Sequence, residues 1–361
     1  MLDHLNSPLY FGIDDARSTE THVIRLSQHT ACRLRVSSFE YQSSKAIPSP
    51  AKTWSRWLST GKRGDSVKPT IGILGLGKIG RAAGENLLKE GYTVVAVRRP
   101  STEDFVGVGG QLVESAAELA RRSDLLITCL PTEESMVEGF TGTNGIVSGA
   151  HPGLTVLEMG TFPAALKAEL AEALKPTGAV MLDSPISGTP SMVANKTCVL
   201  FVSGDKAVAD RWSDVINAFS PKNYYVGEFG SGMAIKLVTN FIVGANSLVV
   251  AEAFVFGVAA GLDPELMIKV IGPSAAQSRV FDFRAPMIAQ RKFKPAPGPA
   301  HILWKDLQFI RDESDRMGLA APVLKAQLEW FGKMMSQGKQ DDEVAAVFEM
   351  LESATRISKP Q

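Results

Sequence analysis

Residues 69–97 constrain this chain more than any other segment. Pro69-Thr-Ile-Gly-Ile-Leu74 is a short apolar strand, and it runs directly into Gly75-Leu76-Gly77-Lys78-Ile79-Gly80. A helical stretch from Arg81 to Glu90 then leads through Gly91 into a second apolar strand, Thr93–Val97. That is one βαβ unit of about thirty residues. Further strands are expected at Leu125–Cys129, Thr155–Glu158, Ala179–Leu182 and Cys198–Ser203, separated by helical segments such as Ser115–Arg122 and Pro163–Lys175. Alternating strand and helix predicts a mostly parallel, doubly wound sheet.

After about Ser231 the character becomes helical. Helices are expected over Met233–Ala260, Asp263–Ile271, Trp304–Met317 and Pro322–Ser336, with a last one near Asp342–Ser353. Gly261 before Asp263-Pro264 marks a helix stop, then a new N-cap with proline in the first turn. The expected fold class is α/β: a Rossmann-type doubly wound sheet over residues 67–230 and an all-α domain over 231–361, joined by a long interdomain helix. The run Gly230–Ala251 is long enough to span a bilayer. However, Lys236, Asn240 and Asn246 lie near one of its faces, Glu252 follows, and no basic flank orients it. It reads as a helix buried between domains.

Residues 1–66 differ from the rest. They are rich in Ser, and between Thr21 and Gly64 the single acid Glu40 stands among many Lys and Arg. A disordered extension, an organellar transit peptide and a start codon assigned too early all fit. Asp3, Asp14, Asp15 and Glu20 speak against the transit peptide, and Val67 is well placed for a later start.

The chain carries 38 Lys plus Arg and 38 Asp plus Glu, so no overall field favours nucleic acid or an anionic membrane. Cys32, Cys129 and Cys198 are far apart with no C-x-x-C, which argues against a disulfide frame or structural zinc. No histidine has ligand spacing, so no metal is expected, and no G-x-S-x-G elbow is present. The expectation is a soluble, cytoplasmic protein, with organellar targeting by residues 1–66 left open.

The glycine loop has a mechanism because it leaves a strand and opens a helix. Gly75 permits the tight turn, Gly77 lets a pyrophosphate approach the backbone, and Gly80 lets helix and strand pack closely. The helix N-terminus faces the phosphates. An NAD site normally places an acid at the end of the second strand, but here Arg98 and Arg99 stand there. Guanidinium forks match a 2′-phosphate, so the expected cofactor is NADP, with NADPH preferred over NADH.

Lys236 is the only charged residue in Gly230–Ala251. Burying an ammonium costs several kcal/mol unless it is paired or its pKa falls, so the position suggests a use for its proton. Ligands bind at the carboxyl ends of strands in doubly wound folds, where Leu130-Pro131-Thr132, Glu158–Pro163 and Asp183–Pro190 end three strands. The last offers a hydroxyl and backbone N–H groups that could hold a small carboxylate.

These segments, with Gly230–Asn240 and Trp304-Lys305-Asp306-Leu307, occur in an order and spacing that resemble the β-hydroxyacid dehydrogenase family, from about Lys68 to Leu351. The resemblance implies that Lys236 is the catalytic lysine, with Asn240 contacting substrate. Ser187, Gly188 and Asp183 would lie on the substrate side. Thr161 would touch the cofactor, Lys305 would lie near the nicotinamide, and Leu130 and Pro131 would border the cofactor. Hydride delivery to a carbonyl carbon builds negative charge on oxygen, which a nearby ammonium stabilises and protonates. Thr189 replaces the family's second glycine in the substrate loop, and Phe241 its second asparagine, so no single substrate is named. Arg279 could reach a substrate carboxylate, although a surface arginine is the simpler reading.

The function expected is an NADPH-dependent oxidoreductase interconverting a small carboxylate-bearing aldehyde or keto acid and its hydroxy acid. An imine reductase on the same fold is the alternative, against which Lys236 argues. A non-catalytic nucleotide-binding module is a third reading. The long apolar helix suggests a homodimer or homotetramer.

Overall fold

The computed structural model describes residues 68–355. The three readings of residues 1–66, and the end of the expected helical domain, lie outside the described residues. The first strand, β1 (Thr70–Leu74), leads into α1 (Lys78–Lys89) and β2 (Thr93–Val97). A 3-10 segment, Pro100–Val108, precedes β3 (Gln111–Val113), α2 (Ala116–Arg122) and β4 (Leu125–Thr128). Next come α3 (Glu133–Thr141), α4 (Ile146–Gly149), β5 (Thr155–Glu158), α5 (Ala164–Leu174) and β6 (Val180–Asp183). The sheet is completed by β7 (Ile186–Ser187), α6 (Pro190–Ala194), β8 (Val199–Ser203), α7 (Lys206–Arg211), α8 (Ser213–Phe219) and β9 (Lys222–Gly227).

The strand order is β3-β2-β1-β4-β5-β6-β8-β7, with β9 paired to β8. The pairs from β3 through β6 are all parallel. They are near-continuous apolar runs because both faces are covered. Ile71, Ile73, Leu125 and Ile127 build one buried cluster, whereas Val95, Leu126, Val156 and Leu170 build the other. The β6–β8 pairing is antiparallel, through Asp183 and Ser203. Short or exposed edge strands were not foreseen: β3 has three residues, and β9 carries Tyr224 and Tyr225 largely in solvent. Neither has the buried period-2 face that identifies a strand.

Beyond the sheet, α9 (Ser231–Ala259) is followed by α10 (Pro264–Ile271), α11 (Arg279–Ala289), α12 (Ala300–Met317), α13 (Pro322–Ser336) and α14 (Val347–Ala354). The helix α11 was also unforeseen. Pro286 lies inside it and argues against a helix on pattern alone, but Ser278 caps it through the Phe281 N–H at 3.0 Å. The 29-residue α9 packs against α11, α12, α13 and α14, and its start meets β6, β8 and β9. By length and composition it could cross a membrane. It is apolar on two sides: Met233, Leu248, Val250, Phe254 and Val255 are buried together with Lys236, Asn240 and Ser247, while Ile235, Val238, Ile242, Val249 and Phe256 are exposed.

Candidate active site

The carboxyl ends of the parallel strands share one edge, and the expected cofactor loop lies there. Gly75 has φ +102, and a Cβ on it would stand 2.2 Å from the Cys129 carbonyl oxygen. A Cβ on Gly80 would stand 2.2 Å from the Gly75 oxygen. Both glycines are therefore fixed by close backbone approach. Gly77 differs, because a Cβ there meets nothing within 4 Å. It is also the N-cap of α1, and no side chain caps that helix start. Open space before uncapped helix N–H groups is the geometry a pyrophosphate requires, so the loop from Leu76 through Lys78 and Ile79 fits a dinucleotide. Leu130 borders the loop, its nitrogen 3.3 Å from a Cβ on Gly75, and the neighbouring Pro131 is exposed.

The arginine pair divides its duties. Arg98 Nη1 donates to both Glu103 carboxylate oxygens at 2.7 Å, and its Nε donates to Glu114 at 2.9 Å. Two acids therefore occupy the guanidinium expected to meet a phosphate. Arg99 has no ion pair among the described residues, which leaves it as the available fork. The pairing with Glu114 depends on β2 lying beside β3, which the Arg-Arg dipeptide alone could not reveal.

A row of buried polar side chains crosses the sheet at the last residues of β4, β5, β6 and β8. Thr128 is in register with Glu158, Glu158 with Asp183, and Asp183 with Ser203, and all four are fully buried. Lys167 of α5 reaches into the row, with Nζ 2.5 Å from Glu158 Oε2, 2.7 Å from Asp183 Oδ1 and 2.7 Å from the Gly160 oxygen. Burial pushes the Glu158 carboxyl up. Burial works to lower the Lys167 ammonium, but Glu158 and Asp183 together hold it above its ordinary value. Asp183 was expected on the substrate. It is instead sealed beneath the surface, because Lys167 takes one oxygen and the Met233 N–H takes the other at 2.8 Å. Lys167, Glu158 and Ser203 were missed as a group. A hint existed, since Lys167 shares its buried face with Leu170 and Leu174, an odd place for a lysine.

Lys236 and Asn240 lie one turn apart on the buried face of α9. The amide of Asn240 donates to Asp306 Oδ2 at 2.5 Å. Asp306 is almost fully buried. Lys305 Nζ lies 3.0 Å from Asp306 Oδ1 and donates to the Thr161 carbonyl at 2.5 Å, so α12 is tied to the loop after β5. The rings of Phe162 and Phe309 flank the same ammonium at 5.3 and 4.9 Å. Lys236 itself is only 9% exposed and has no hydrogen bond or ion pair among the described residues. Its pKa is lowered mainly by burial; Asp306 opposes this, and the positive charges of Lys305 and Lys167 add to it.

Ser187 ends β7 half-buried, and Gly188 after it is exposed. Thr189, where the resemblance expects glycine, is the N-cap of α6 and accepts the Met192 N–H. Arg279 is exposed at the start of α11 and makes no contact with these groups.

Residues 70–227 match the NAD-binding domain of 6-phosphogluconate dehydrogenase. Residues 230–351 match the NAD-binding domain of NADP-dependent 3-hydroxyisobutyrate dehydrogenase. An uncharacterized oxidoreductase of Synechocystis sp. is 30% identical over 281 residues, covering 77% of this chain and 96% of that protein. This chain belongs to the β-hydroxyacid dehydrogenase family. Glyoxylate/succinic semialdehyde reductase 2 of Arabidopsis thaliana is 26% identical over 287 residues, 79% of this chain and 80% of that protein. The structure of Mycobacterium tuberculosis 3-hydroxyisobutyrate dehydrogenase with L-serine superposes with a TM-score of 0.71 at 25% identity, covering 79% of this chain and 99% of that one. Like other β-hydroxyacid dehydrogenases, this chain is an NAD(P)-dependent oxidoreductase.

Burying Lys236 with no ion pair among the described residues predicts a pH-dependent cost in stability. With its pKa lowered on folding, the unfolded chain holds the proton more tightly. The cost of folding is therefore largest below the folded pKa and vanishes above the ordinary lysine value of about 10.4. Lys236→Met should raise Tm at pH 7, and the gain over wild type should shrink in melts recorded toward pH 10.

Proposed function

We propose that this dehydrogenase is an NADPH-dependent reductase of a small carboxylate-bearing aldehyde or keto acid, with Lys236 as the proton donor and the reverse oxidation of the hydroxy acid open to it. The observation that carries this reading is a buried ammonium with no ion pair among the described residues, on the helix whose first turn is bonded to the ends of β6 and β8, in a chain with an open dinucleotide loop. The reduced nicotinamide, when bound, supplies the hydride. As the carbonyl carbon accepts it, charge develops on the oxygen. Lys236 stabilises that charge and gives up its proton. A lowered pKa makes the lysine a better acid near neutrality.

Asn240, locked by Asp306, presents the rest of its amide to substrate or lysine. Ser187 and Gly188 supply the polar seat for the carboxylate, while Thr161 and Lys305 close the nicotinamide side. Arg99 is the phosphate fork that favours NADPH, and Arg98 supports it through Glu103 and Glu114.

The reading extends to assembly. Ile235, Ile242, Val249 and Phe256 recur every seven residues along α9 with Val238 beside them, all exposed. A seven-residue apolar seam matches another helix of the same repeat, so the partner is a second copy of this chain, as a homodimer or homotetramer.

A screen of NADPH oxidation over small aldehydes, keto acids and cyclic imines should find turnover of a carboxylate-bearing carbonyl compound. Cyclic-imine turnover without aldehyde turnover would replace this reading with an imine reductase. Arg99→Ala should raise KM for NADPH about tenfold, the loss of a charged hydrogen bond, and leave KM for NADH little changed. Equal or better kcat/KM with NADH in the wild type would remove the NADPH assignment. Val249→Glu should lower the sedimentation coefficient to that of a monomer at micromolar concentration, and a monomeric wild type would contradict the shared seam.

A further inference from the structure

We propose that Lys167, Asp183 and Ser203 are positioning residues that fix the first turn of α9, and through it the place of Lys236, against the sheet edge. The proposal rests on the role given to Lys236 above. The first four N–H groups of a helix have no partner within it; α9 has Gly230 as its N-cap with no side-chain cap, so those of the next three residues need partners from outside. Ser231 N–H reaches the Glu228 carbonyl at 3.0 Å. The other two are satisfied from the sheet. Gly232 N–H donates to Ser203 Oγ at 3.0 Å, and Met233 N–H donates to Asp183 Oδ2 at 2.8 Å.

A local cap would fix the helix only to its own entry. These caps come from the ends of β6 and β8, so they fix α9 relative to the sheet that carries the dinucleotide loop. Close contact is built in, because a Cβ on Gly232 would lie 2.6 Å from the Asp183 oxygen and 2.7 Å from the Phe201 oxygen. Lys236 stands one turn further on the same face, about 6 Å along the axis. A carboxylate at a helix N-terminus is favourable, but a fully buried one must be paired. Lys167 supplies that pairing at 2.7 Å while holding Glu158 and the Gly160 carbonyl. The sheet edge, α5 and α9 thereby share one buried network. Around Lys236 the charged groups are Asp306 and Lys305 on α12 and Lys167 on α5, so the network also sets part of the field on the proton donor.

The test compares full-length wild type with Ser203→Ala, Asp183→Asn and Lys167→Met, and uses Lys236→Ala as a control. Thermal midpoint, NADPH affinity and kcat against KM are read for each, and wherever Lys236 is present also the pH midpoint for its acetylation by acetic anhydride, followed by mass spectrometry. Ser203→Ala deletes one hydroxyl and decides the matter if the charge variants do not fold. It should keep NADPH affinity within about twofold and lose kcat about tenfold, the scale of one buried hydrogen bond. Lys167→Met removes a like charge and should move the Lys236 midpoint upward. Folded variants with wild-type kcat and a wild-type Lys236 midpoint would overturn the proposal. If Lys236→Ala keeps full turnover, the role of Lys236 fails instead, whereas the acetylation midpoints still report whether the network governs that lysine.

Discussion

The hydrogen bond from Met233 N–H to Asp183 is the joint on which the two halves of this protein meet. A parallel sheet delivers every strand end to one edge, and that edge alone can hold a dinucleotide at α1 and a substrate beyond it. The proposed proton donor, however, lies on a helix outside the sheet. A hydride donor and a proton donor carried on different elements work together only if those elements keep a fixed distance. Asp183 and Ser203 hold one end of that distance, and the Lys305 contact to the Thr161 carbonyl holds another.

Polar groups are buried here at a cost that packing elsewhere must offset. The Lys167–Glu158–Asp183 group is charged and fully enclosed, and an enclosed ion group contributes little net stability. Lys236 adds a buried ammonium with no hydrogen bond or ion pair among the described residues. The same helix turns Val249 and Phe256 to solvent. The buried side of α9 thus mixes polar groups with core residues such as Met233, Leu248 and Phe254, while a further apolar stripe faces solvent. Such a helix suits the two roles proposed for it, a proton donor on one face and a second copy of the chain on the other.

Much of the fold was legible in the sequence because local pattern determined it. The expected strands Thr93–Val97 and Thr155–Glu158 and the helix Pro322–Ser336 coincide with β2, β5 and α13. The Gly75–Gly80 loop carried its mechanism in its spacing, and Lys236 and Asn240 announced themselves as polar residues in an apolar run. What escaped were properties of register and crossing. Glu158, Asp183 and Ser203 lie far apart in sequence and meet only when β5, β6 and β8 pair. Asp183 was therefore taken for a substrate contact when it is the anchor of a helix. Arg98 was counted as a phosphate ligand because Glu114 becomes its neighbour only through β3. Pro286 hid α11, since a proline inside a helix defeats a pattern-based reading.

Chemical rescue tests the central claim most directly. Lys236→Ala leaves the cofactor loop intact and opens a lysine-sized space at the proton-donor position. With NADPH and the carbonyl substrate identified by screening, kcat should fall by at least about a hundredfold, within the range by which a positioned acid contributes. Added methylammonium should then restore turnover saturably, with a pH dependence that follows the pKa of the added amine. Near-wild-type turnover in the variant without any amine would contradict the assignment of Lys236 as the proton donor.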